Sequence, residues 1–573
     1  MNAAQLLQHF DRVSEAPNAI PRLRRFILDL AVRGKLVEQN PNDEPASELL
    51  KRVQAEMGKQ AKSGGLRIGK PLPSPAEDEL PFHLPAKWAW SRLAEVGFLN
   101  PRNSAADELP ASFVPMPLIS AEYGIPNKHE VRSWGEIKKG YTHFADGDVA
   151  LAKITPCFEN GKSTIFRNLT GCIGSGTTEL HVVRPVILCA DYILIFLKCP
   201  HFIEAGIPKM TGTAGQKRVP TEYFAYSPFP LPPLAEQHRI VAKVDELMAL
   251  CNRLASAQAE RESRRDRLAS ASLQRLNQPD NEPTFREHAR FQLRHLPRLT
   301  TRPEHIQQLR QTILNLAVRG RLIPQDPNDE PASELLKHIQ VERDRLIKEG
   351  TLRKHEAPAA ISLDSSPFAI PTSWSWTRIG NCSARVDYGT SVKSEHFEKG
   401  VPVLKMGDIQ GGHVILGGQK KVSRQIEDLP QLFLKRLDLL YNRTNSAELV
   451  GKTGIYLGED DAYTFASYLI RIRFMNYLIN PVYSNLAMNA PYFRETQILP
   501  ELQQQCGQAN VNGSKLRNMM IPIPPLAEQH RIVAKVDELM ALCDRLEAQL
   551  TAAQTESRHL LEALLRDALA RAV

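Results

Sequence analysis

Pro232–Cys251 reads PPLAEQHRIVAKVDELMALC, and Pro524–Cys543 reads the same twenty letters. An identical run of that length, set in sequence that is mostly unlike itself, is an internal duplication around which the chain is organised. Each copy opens with Pro-Pro, tolerated in the first turn of a helix, and continues in a helical pattern. In the second copy Ile532, Val536, Leu539, Cys543, Leu546, Leu550, Ala553, Leu560 and Leu564 fall on alternating three- and four-residue steps, interrupted only at Ser557. Ile240, Val244, Leu247, Cys251 and Leu254 repeat those steps in the first copy. This is the spacing of a coiled-coil seam. The expected partner of each copy is the other one: two helices of about 40 residues, roughly 60 Å each, paired within one chain with approximate two-fold symmetry.

Working outward, a second duplication appears. IPRLRRFILDLAVRGKLVEQNPNDEPASELLK at 20–51 matches IQQLRQTILNLAVRGRLIPQDPNDEPASELLK at 306–337. Ile20, Leu23, Ile27 and Leu30, like Ile306, Leu309, Ile313 and Leu316, form an amphipathic helical stripe. Gly34 and Gly320 read as C-terminal helix stops. Turns at Pro41–Pro45 and Pro327–Pro331 follow, with Ser47 and Ser333 near the start of a further helix. Pro85-Ala-Lys-Trp-Ala-Trp90 and Pro371-Thr-Ser-Trp-Ser-Trp376 close the repeated part. The paired tryptophans stand at matching places in both halves, so they read as packing where each variable segment begins.

From about 92 to 228 and from about 378 to 520 the halves diverge. They share only punctuation: Phe144-Ala-Asp-Gly-Asp148 and Lys435-Arg-Leu-Asp438 lead into apolar runs, and Gly161-Lys-Ser and Gly451-Lys-Thr are similarly placed. Alternation at Thr178–Arg184 and Ser467–Phe474 reads as strands. Both segments are expected to be mixed, strand-rich domains. Between the halves lies a proline-containing linker, Asn277–Pro303, with an arginine at every fourth residue: Arg286, Arg290, Arg294, Arg298 and Arg302. It reads either as a solvated helical face or as a phosphate-facing stripe. Joining the C-terminus to the N-terminus on paper makes the repeat circular, each long helix being followed by the same helical unit.

The bulk properties narrow the class. Of 573 residues, 42% are hydrophobic and 24% charged, which is ordinary for a globular protein. MNAAQLLQHFDRVSEAP at the start carries no basic-plus-apolar leader, and no apolar run reaches membrane-spanning length. The eight cysteines contain no CxxC pair, so reduced thiols in a cytoplasm are expected, with no metal site. A net charge of +8 permits a polyanionic partner without demanding one. Duplicated scaffold surfaces should bind two copies of one protein, whereas two unlike domains should meet two unlike targets. Two different half-sites on one DNA duplex satisfy both demands.

With these features the chain resembles the specificity subunit of Type I restriction–modification enzymes over essentially its whole length. The resemblance is carried by the twice-used PPLAEQHRIVAKVDELMALC and by the twice-used LAVRG(K/R)L…PNDEPASELL around divergent domains. Gly212-Thr-Ala-Gly-Gln-Lys-Arg-Val219 also carries it, with a looser counterpart in Gly507-Gln-Ala-Asn-Val-Asn-Gly-Ser-Lys-Leu516. It implies an α+β fold with a pseudo-two-fold internal repeat: two strand-rich mixed target recognition domains separated by two long antiparallel coiled-coil helices. The boundaries would be a helical unit at 1–75, a recognition domain at 76–230 and a long helix at 231–276. A linker with the second helical unit at 277–365, a second recognition domain at 366–522 and a long helix at 523–573 complete the chain. Each recognition domain would read one half of a bipartite, asymmetric sequence in double-stranded DNA, and the coiled coil would set the spacer. Two modification (methyltransferase) subunits would dock on the scaffold and two restriction (translocase/nuclease) subunits would join them. S-adenosylmethionine, ATP and Mg are implied for those partners, with no cofactor and no catalysis in this chain, in a cytoplasmic phage-defence system.

The residues agree on their own terms. A phosphate-binding loop needs a glycine five residues before Gly161 or Gly451, and those positions are Pro156 and Ser446. Asn489-Ala-Pro-Tyr492 is one residue from an adenine methyltransferase loop, but no Gly-rich cofactor loop accompanies it. Lys+Arg exceed Asp+Glu by about two in 86–230 and about four in 372–521, so DNA contacts would come from local patches. The candidates are Lys153, Lys162, Gln216, Lys217 and Arg218 in the first domain. In the second they are Lys405, Arg443, Lys452, Asn510, Asn512 and Lys515. Their side chains are of the kinds that read base edges or hold phosphates. The competing reading is a coiled-coil adaptor that joins two copies of a partner protein and never binds DNA.

Overall fold

The computed structural model describes residues 14–64, 77–213, 215–278, 281–350, 352, 361, 366–396, 399–505 and 508–571. It divides into two units, one formed by 1–261 with 553–573 and the other by 262–552. Each contains a helical unit, a strand-rich domain and portions of both long helices.

The helical unit of the first half is α1 (Ala19–Val32) and α2 (Ala46–Gly64). Ile20, Ile27, Leu28, Ala31 and Val32 bury the predicted stripe of α1. Beyond it, Gly34 adopts φ +68° while the Lys35 N–H reaches back to the Leu30 carbonyl (3.0 Å), a left-handed stop. A side chain at Gly34 is excluded twice, because an ideal Cβ there lies 2.4 Å from Cγ of Pro85. The second half repeats this with Gly320 at φ +67° against Pro371. The helix after each Asn-Asp-Glu turn begins at alanine, so Ser47 and Ser333 lie inside the first turn and the cap position of the second is Pro331.

The divergent segments fold alike. In the first, β1 (Ala89–Arg92) is followed by a sheet of β2 (Gly97–Leu99), β3 (Val149–Ala152), β4 (Ser163–Ile165) and β5 (Leu180–Pro185). Its spatial order is β2-β5-β3-β4, antiparallel throughout. Helix α3 (Ala190–Lys198) follows, and β6 (Pro228–Leu231) returns to pair with β1. The second domain repeats the scheme with β7 (Ser375–Arg378), β8 (Ser383–Tyr388), β9 (Leu439–Asn442), β10 (Thr453–Ile455), β11 (Leu469–Phe474) and β12 (Met520–Ile523). The order β8-β11-β9-β10 is the same, extended by Ile409–Gln410 and His413–Val414, and β7 pairs with β12. A second sheet accompanies each: 110–114 lies parallel to 173–176, as 401–404 does to 464–465. The sequences share little more than punctuation because each inward position needs only an apolar side chain of suitable volume.

The long helices are α4 (Leu234–Asn277, 44 residues) and, at the end of the chain, a helix over Leu526–Arg571 of 46 residues. The region expected to be a linker is itself mostly helical: α5 (Glu282–Leu299) precedes α6 (Pro303–Val318) and α7 (Ala332–Lys348). Buried Ser272 donates to Gln292 Oε1 (2.7 Å), holding α5 on α4. Arg286, Arg290, Arg294 and Arg298 are exposed on α5, whereas Arg302 pairs with Asp266. In the second domain follow α8 (Pro481–Asn489) and α9 (Gly513–Asn518), which makes the last long helix α10.

The apolar stripe of each long helix has a partner in its own unit that spacing did not reveal. Ile240, Val244, Met248 and Cys251 are buried in one core with Ile20, Ile27, Leu28 and Val32, flanked by Leu247 and Leu254. The α1 side chain Arg24 bonds Asn252 on α4. Ile532, Val536 and Cys543, with Leu539 and Leu546, join Ile306, Ile313 and Leu314 in the same way, and Arg310 reaches Asp544 and Glu547. The spacing assigned this stripe to the other long helix; its opening turns are buried by the helical unit of the same half. The far ends follow the circular pattern. Leu560, Leu561 and Leu564 pack on Ala16 and Ala19, Arg22 pairs with Glu562 (2.7 Å), and Lys35 Nζ donates to the Leu569 carbonyl (2.7 Å). In the other unit the tail of α4 meets α6 through Asp266 and His305 (2.9 Å).

The Glu-Gln letters of the repeat and the arginine two residues on are explained at the junction. Glu528 is fully buried and accepts from the Trp374 indole (3.0 Å) and the Gln325 amide (3.2 Å). Gln529 accepts from the Asn480 N–H (2.8 Å) and donates to the Pro524 carbonyl (2.9 Å). In the first half Glu236 accepts from Gln39 (2.6 Å) beside Trp88. Gln237 accepts from the Cys189 N–H and donates to the Pro232 carbonyl, each at 3.0 Å. Arg239–Asp43 and Arg531–Asp329 complete both copies. Burial pushes the Glu236 and Glu528 carboxyls above the usual range, against the lowering effect of their hydrogen bonds.

Two outcomes follow for stability. Gly320→Ala is expected to cost about 1–3 kcal/mol in denaturant unfolding. Gly350→Ala, at φ +72° with nothing within 4 Å of its Cβ, should cost only the backbone part, about 1 kcal/mol. An acid whose folded pKa is raised contributes most when protonated, and that contribution fades as pH rises through the folded value. The stability of the wild type relative to Glu528→Gln should therefore fall as pH is raised from 4 to 7, and unfolding midpoints across that range measure it.

Candidate nucleic-acid interface

The shared topology allows the two variable domains to be compared position by position. The Lys153 N–H donates to the Glu179 carbonyl (2.9 Å), and Arg443 does the same to Tyr468 (3.1 Å). Val219 donates to the Lys153 carbonyl (2.8 Å), as Val511 does to Arg443 (2.9 Å). Ala152 donates to Lys162, and Asn442 to Lys452, both at 2.9 Å. Three backbone bonds thus make Lys153 equivalent to Arg443, Glu179 to Tyr468 and Lys162 to Lys452. Arg218 and Asn510, which precede Val219 and Val511, correspond in turn.

Around this cluster an Asp–Arg pair and a tyrosine tie recur in both domains. Asp148 receives both Nε and a terminal nitrogen of Arg184 (2.8 Å each), and Asp438 receives those of Arg473 (2.6 Å each). Tyr192 donates to the Pro230 carbonyl (2.8 Å) and Tyr483 to that of Pro522 (2.9 Å). The last residue of α3, Lys198, is buried and gives its three hydrogens to the carbonyls of Ser120 (3.3 Å), Ala121 (2.9 Å) and Gly161 (3.1 Å). Burial pushes that ammonium down to about 7. The last residue of α8, Asn489, likewise donates to the Thr453 carbonyl (2.9 Å). Both Gly-Lys-Ser/Thr loops are therefore held from the end of the same helix. That also explains Asn489-Ala-Pro-Tyr492: its asparagine is a loop tie and its tyrosine is buried core.

The structure brings most of the sequence candidates together. In the first domain Lys153, Gln216, Lys217 and Arg218 lie around paired segments, with Ile154 bridging Arg218 and Thr155 N donating to the Lys217 carbonyl (2.9 Å). Gln216 and Lys217 are exposed. Arg218 is bound bidentately to Glu179, with 2.9 Å from Nε and 2.9 Å from a terminal nitrogen, and its other terminal nitrogen meets the Gln216 carbonyl (3.0 Å). Those bonds hold the Glu179 carboxyl below the usual range. Lys162 is half-buried with Nζ 3.3 Å from the Met116 carbonyl, while Lys452 is exposed.

In the second domain Arg443 lies over the Tyr388 ring (4.7 Å), with Nε 3.4 Å from Asn510 Oδ1. Thr444 also donates to that oxygen (3.1 Å). Asn512 and Lys515 have structural partners: Asn512 caps α9 through the Lys515 N–H (2.9 Å), and Lys515 Nζ meets Glu501. Lys405 is exposed beside a different strand, outside the cluster. Sequence reasoning missed Glu179, Tyr388 and Tyr468. Tyr388 and Tyr468 are 42% and 52% exposed, and only register identifies Tyr468 as the counterpart of Glu179. Among the described residues no group of His, Cys, Asp and Glu is arranged to hold a metal, and no helix is long and apolar enough to cross a membrane.

Comparison with known proteins finds relatives over nearly the whole chain. The chain is 40% identical to the Type I restriction enzyme EcoEI specificity subunit of Escherichia coli over 557 residues, covering 96% of this chain and 94% of that one. The chain belongs to the specificity subunits of Type I restriction enzymes. The EcoAI specificity subunit of the same organism is 39% identical over 553 residues, covering 95% and 93%. The family described as Type I restriction modification DNA specificity domain matches residues 387–553. Among solved structures, the HsdS subunit from Thermoanaerobacter tengcongensis is 19% identical, with a TM-score of 0.43 over 86% of this chain and 100% of that one.

In this specificity subunit the loop ties are open to test. Lys198→Met leaves three carbonyls without their donor and is expected to cost more than about 2 kcal/mol. Hydrogen exchange should speed up at 161–163 while 451–453 stays protected.

Proposed function

We propose that this chain is the DNA-recognition and assembly subunit of a Type I restriction–modification complex in the cytoplasm, with no catalysis and no cofactor of its own. Each strand-rich domain reads one half of a bipartite, asymmetric site in double-stranded DNA. The long helices pair antiparallel and set the spacer. The duplicated helical units dock two modification subunits, with two restriction subunits beyond them, and S-adenosylmethionine, ATP and Mg belong to those partners. Lys153, Lys162, Gln216, Lys217 and Arg218, and Arg443, Lys452 and Asn510 opposite them in the repeat, lie on the DNA side. The observation that carries this reading is that two domains of one topology, joined to one repeated scaffold, present unlike polar side chains at the same backbone positions. A reader of two different half-sites needs that combination, since phosphates position a protein on the duplex and base edges specify the sequence. The alternative, an adaptor that joins two copies of a partner, would need matching surfaces on both domains.

Replacing 92–228 by the corresponding segment of another specificity subunit is expected to change one half of the methylated sequence and leave the other half and the spacer intact. Mapping of methylated adenines in cells carrying the chimaera reads this directly. Loss of sequence preference in gel shifts of the wild-type complex at moderate salt would sink the proposal, salt being held fixed because phosphate contacts dominate affinity.

A further inference from the structure

The internal repeat serves as a control that a single domain could not supply. Several equivalent positions that support the fold carry identical side chains: Asp148 and Asp438, Arg184 and Arg473, Tyr192 and Tyr483, Gln237 and Gln529; the loop ties Lys198 and Asn489 differ. Lys162 and Lys452 are also identical. The cluster beside them differs at every position: Glu179 against Tyr468 and Arg218 against Asn510 change chemical kind, and Lys153 against Arg443 exchanges a point-charge donor for a planar fork. A position with the same residue in both domains cannot distinguish their targets, whereas one that changes from carboxylate to phenol can.

We infer that Lys153, Glu179 and Arg218 in the first domain, and Arg443, Tyr468 and Asn510 in the second, are the specificity-determining residues, with Tyr388 positioning Arg443. The inference rests on the DNA reading above and deepens it by separating base readers from phosphate holders. In the second domain the exposed Tyr388 ring carries the Arg443 guanidinium on its face at 4.7 Å. Tyr388 is itself fixed by the Gly513 N–H, which donates to its hydroxyl (2.6 Å). Asn510 Oδ1 accepts from Arg443 Nε (3.4 Å), which leaves the terminal guanidinium nitrogens as a two-pronged donor. That fork matches O6 and N7 of guanine in the major groove. In the first domain the three kinds of nitrogen on Arg218 are already bonded to Glu179 and Gln216. Of that pair the acceptor is Glu179, whose carboxylate keeps lone pairs beyond its two bonds to Arg218 and matches the exocyclic amine of cytosine or adenine. Lys162 and Lys452 serve as sequence-independent phosphate contacts.

The test uses the full chain with its modification subunit and selection from a pool of duplexes randomised in both half-sites. Wild type should select a site with guanine at one fixed position of the half-site assigned to the second domain. Arg443→Ala should lose that preference by roughly ten- to a hundredfold, with the other half-site unchanged. Tyr388→Ala should weaken the same preference while Tyr388→Phe, which keeps the ring, retains it; a merely structural tyrosine would not move a single base position. Glu179→Gln should alter only the other half-site. Lys452→Ala should weaken binding to all duplexes alike and reduce the salt slope by about one. Tyr468→Phe, which removes only a hydroxyl at an exposed site and so spares the fold, should alter the same half-site as Arg443→Ala and leave the other unchanged. Unchanged base preference in Arg443→Ala, or parallel changes in both half-sites, would overturn the assignment while leaving the recognition function standing. A wild-type complex that selects no sequence would overturn both.

Discussion

A buried carboxylate at the start of each long helix is the constraint on which the rest of the architecture depends. Glu236 and Glu528 sit where the long helix, the turn after the first repeated helix and the opening strand of the variable domain converge. Gln39 or Gln325 reaches them from the turn, and in the second half the Trp374 indole adds a donor from ahead of the strand. The adjacent glutamines reach the residues just before α3 and α8. Removing such a group from water is unfavourable unless each oxygen finds donors, so the pieces can meet in one arrangement only. The Glu, Gln and Arg of each repeat are thereby held by contacts inside one half.

That junction explains how a constant frame carries unlike domains. The frame meets each domain at a paired strand (β1 with β6, β7 with β12) and at the start of one helix. Beyond those contacts the domain interior is free to change so long as its volume and strand order persist. One Asp–Arg pair recurs in both domains, Asp148–Arg184 and Asp438–Arg473, where losing either partner would leave a charge stranded. At the end of the strand, where water can satisfy either residue, no such penalty operates. Glu179 and Tyr468 occupy one site for that reason.

The circular character of the repeat is physical as well as formal. In one unit the tail of α4 continues into α5 and α6 and packs on the helical unit through Asp266, Arg302 and His305. In the other, the tail of α10 packs on α1 with no covalent link, held by Leu561, by Arg22–Glu562 and by Lys35 on the Leu569 carbonyl.

The sequence by itself determined the order of parts: two identical helix starts, two helical units with their glycine stops, and two strand-rich segments between them. Those features are local, since helical period, left-handed glycines and proline turns are set by near neighbours in the chain. It also determined the family resemblance, because long exact repeats survive only where many contacts fix each letter. Only the tertiary structure decided that the divergent segments share one topology, because strand order depends on pairings between residues far apart, such as Leu151 with His181. It likewise decided that the helix stripe is buried first by α1 and α6, since spacing specifies an apolar face but not what covers it. And it assembled the candidate interface: Tyr388, Arg443, Tyr468 and Asn510 are spread over more than a hundred residues of chain and become neighbours only when β8, β9 and β11 lie side by side.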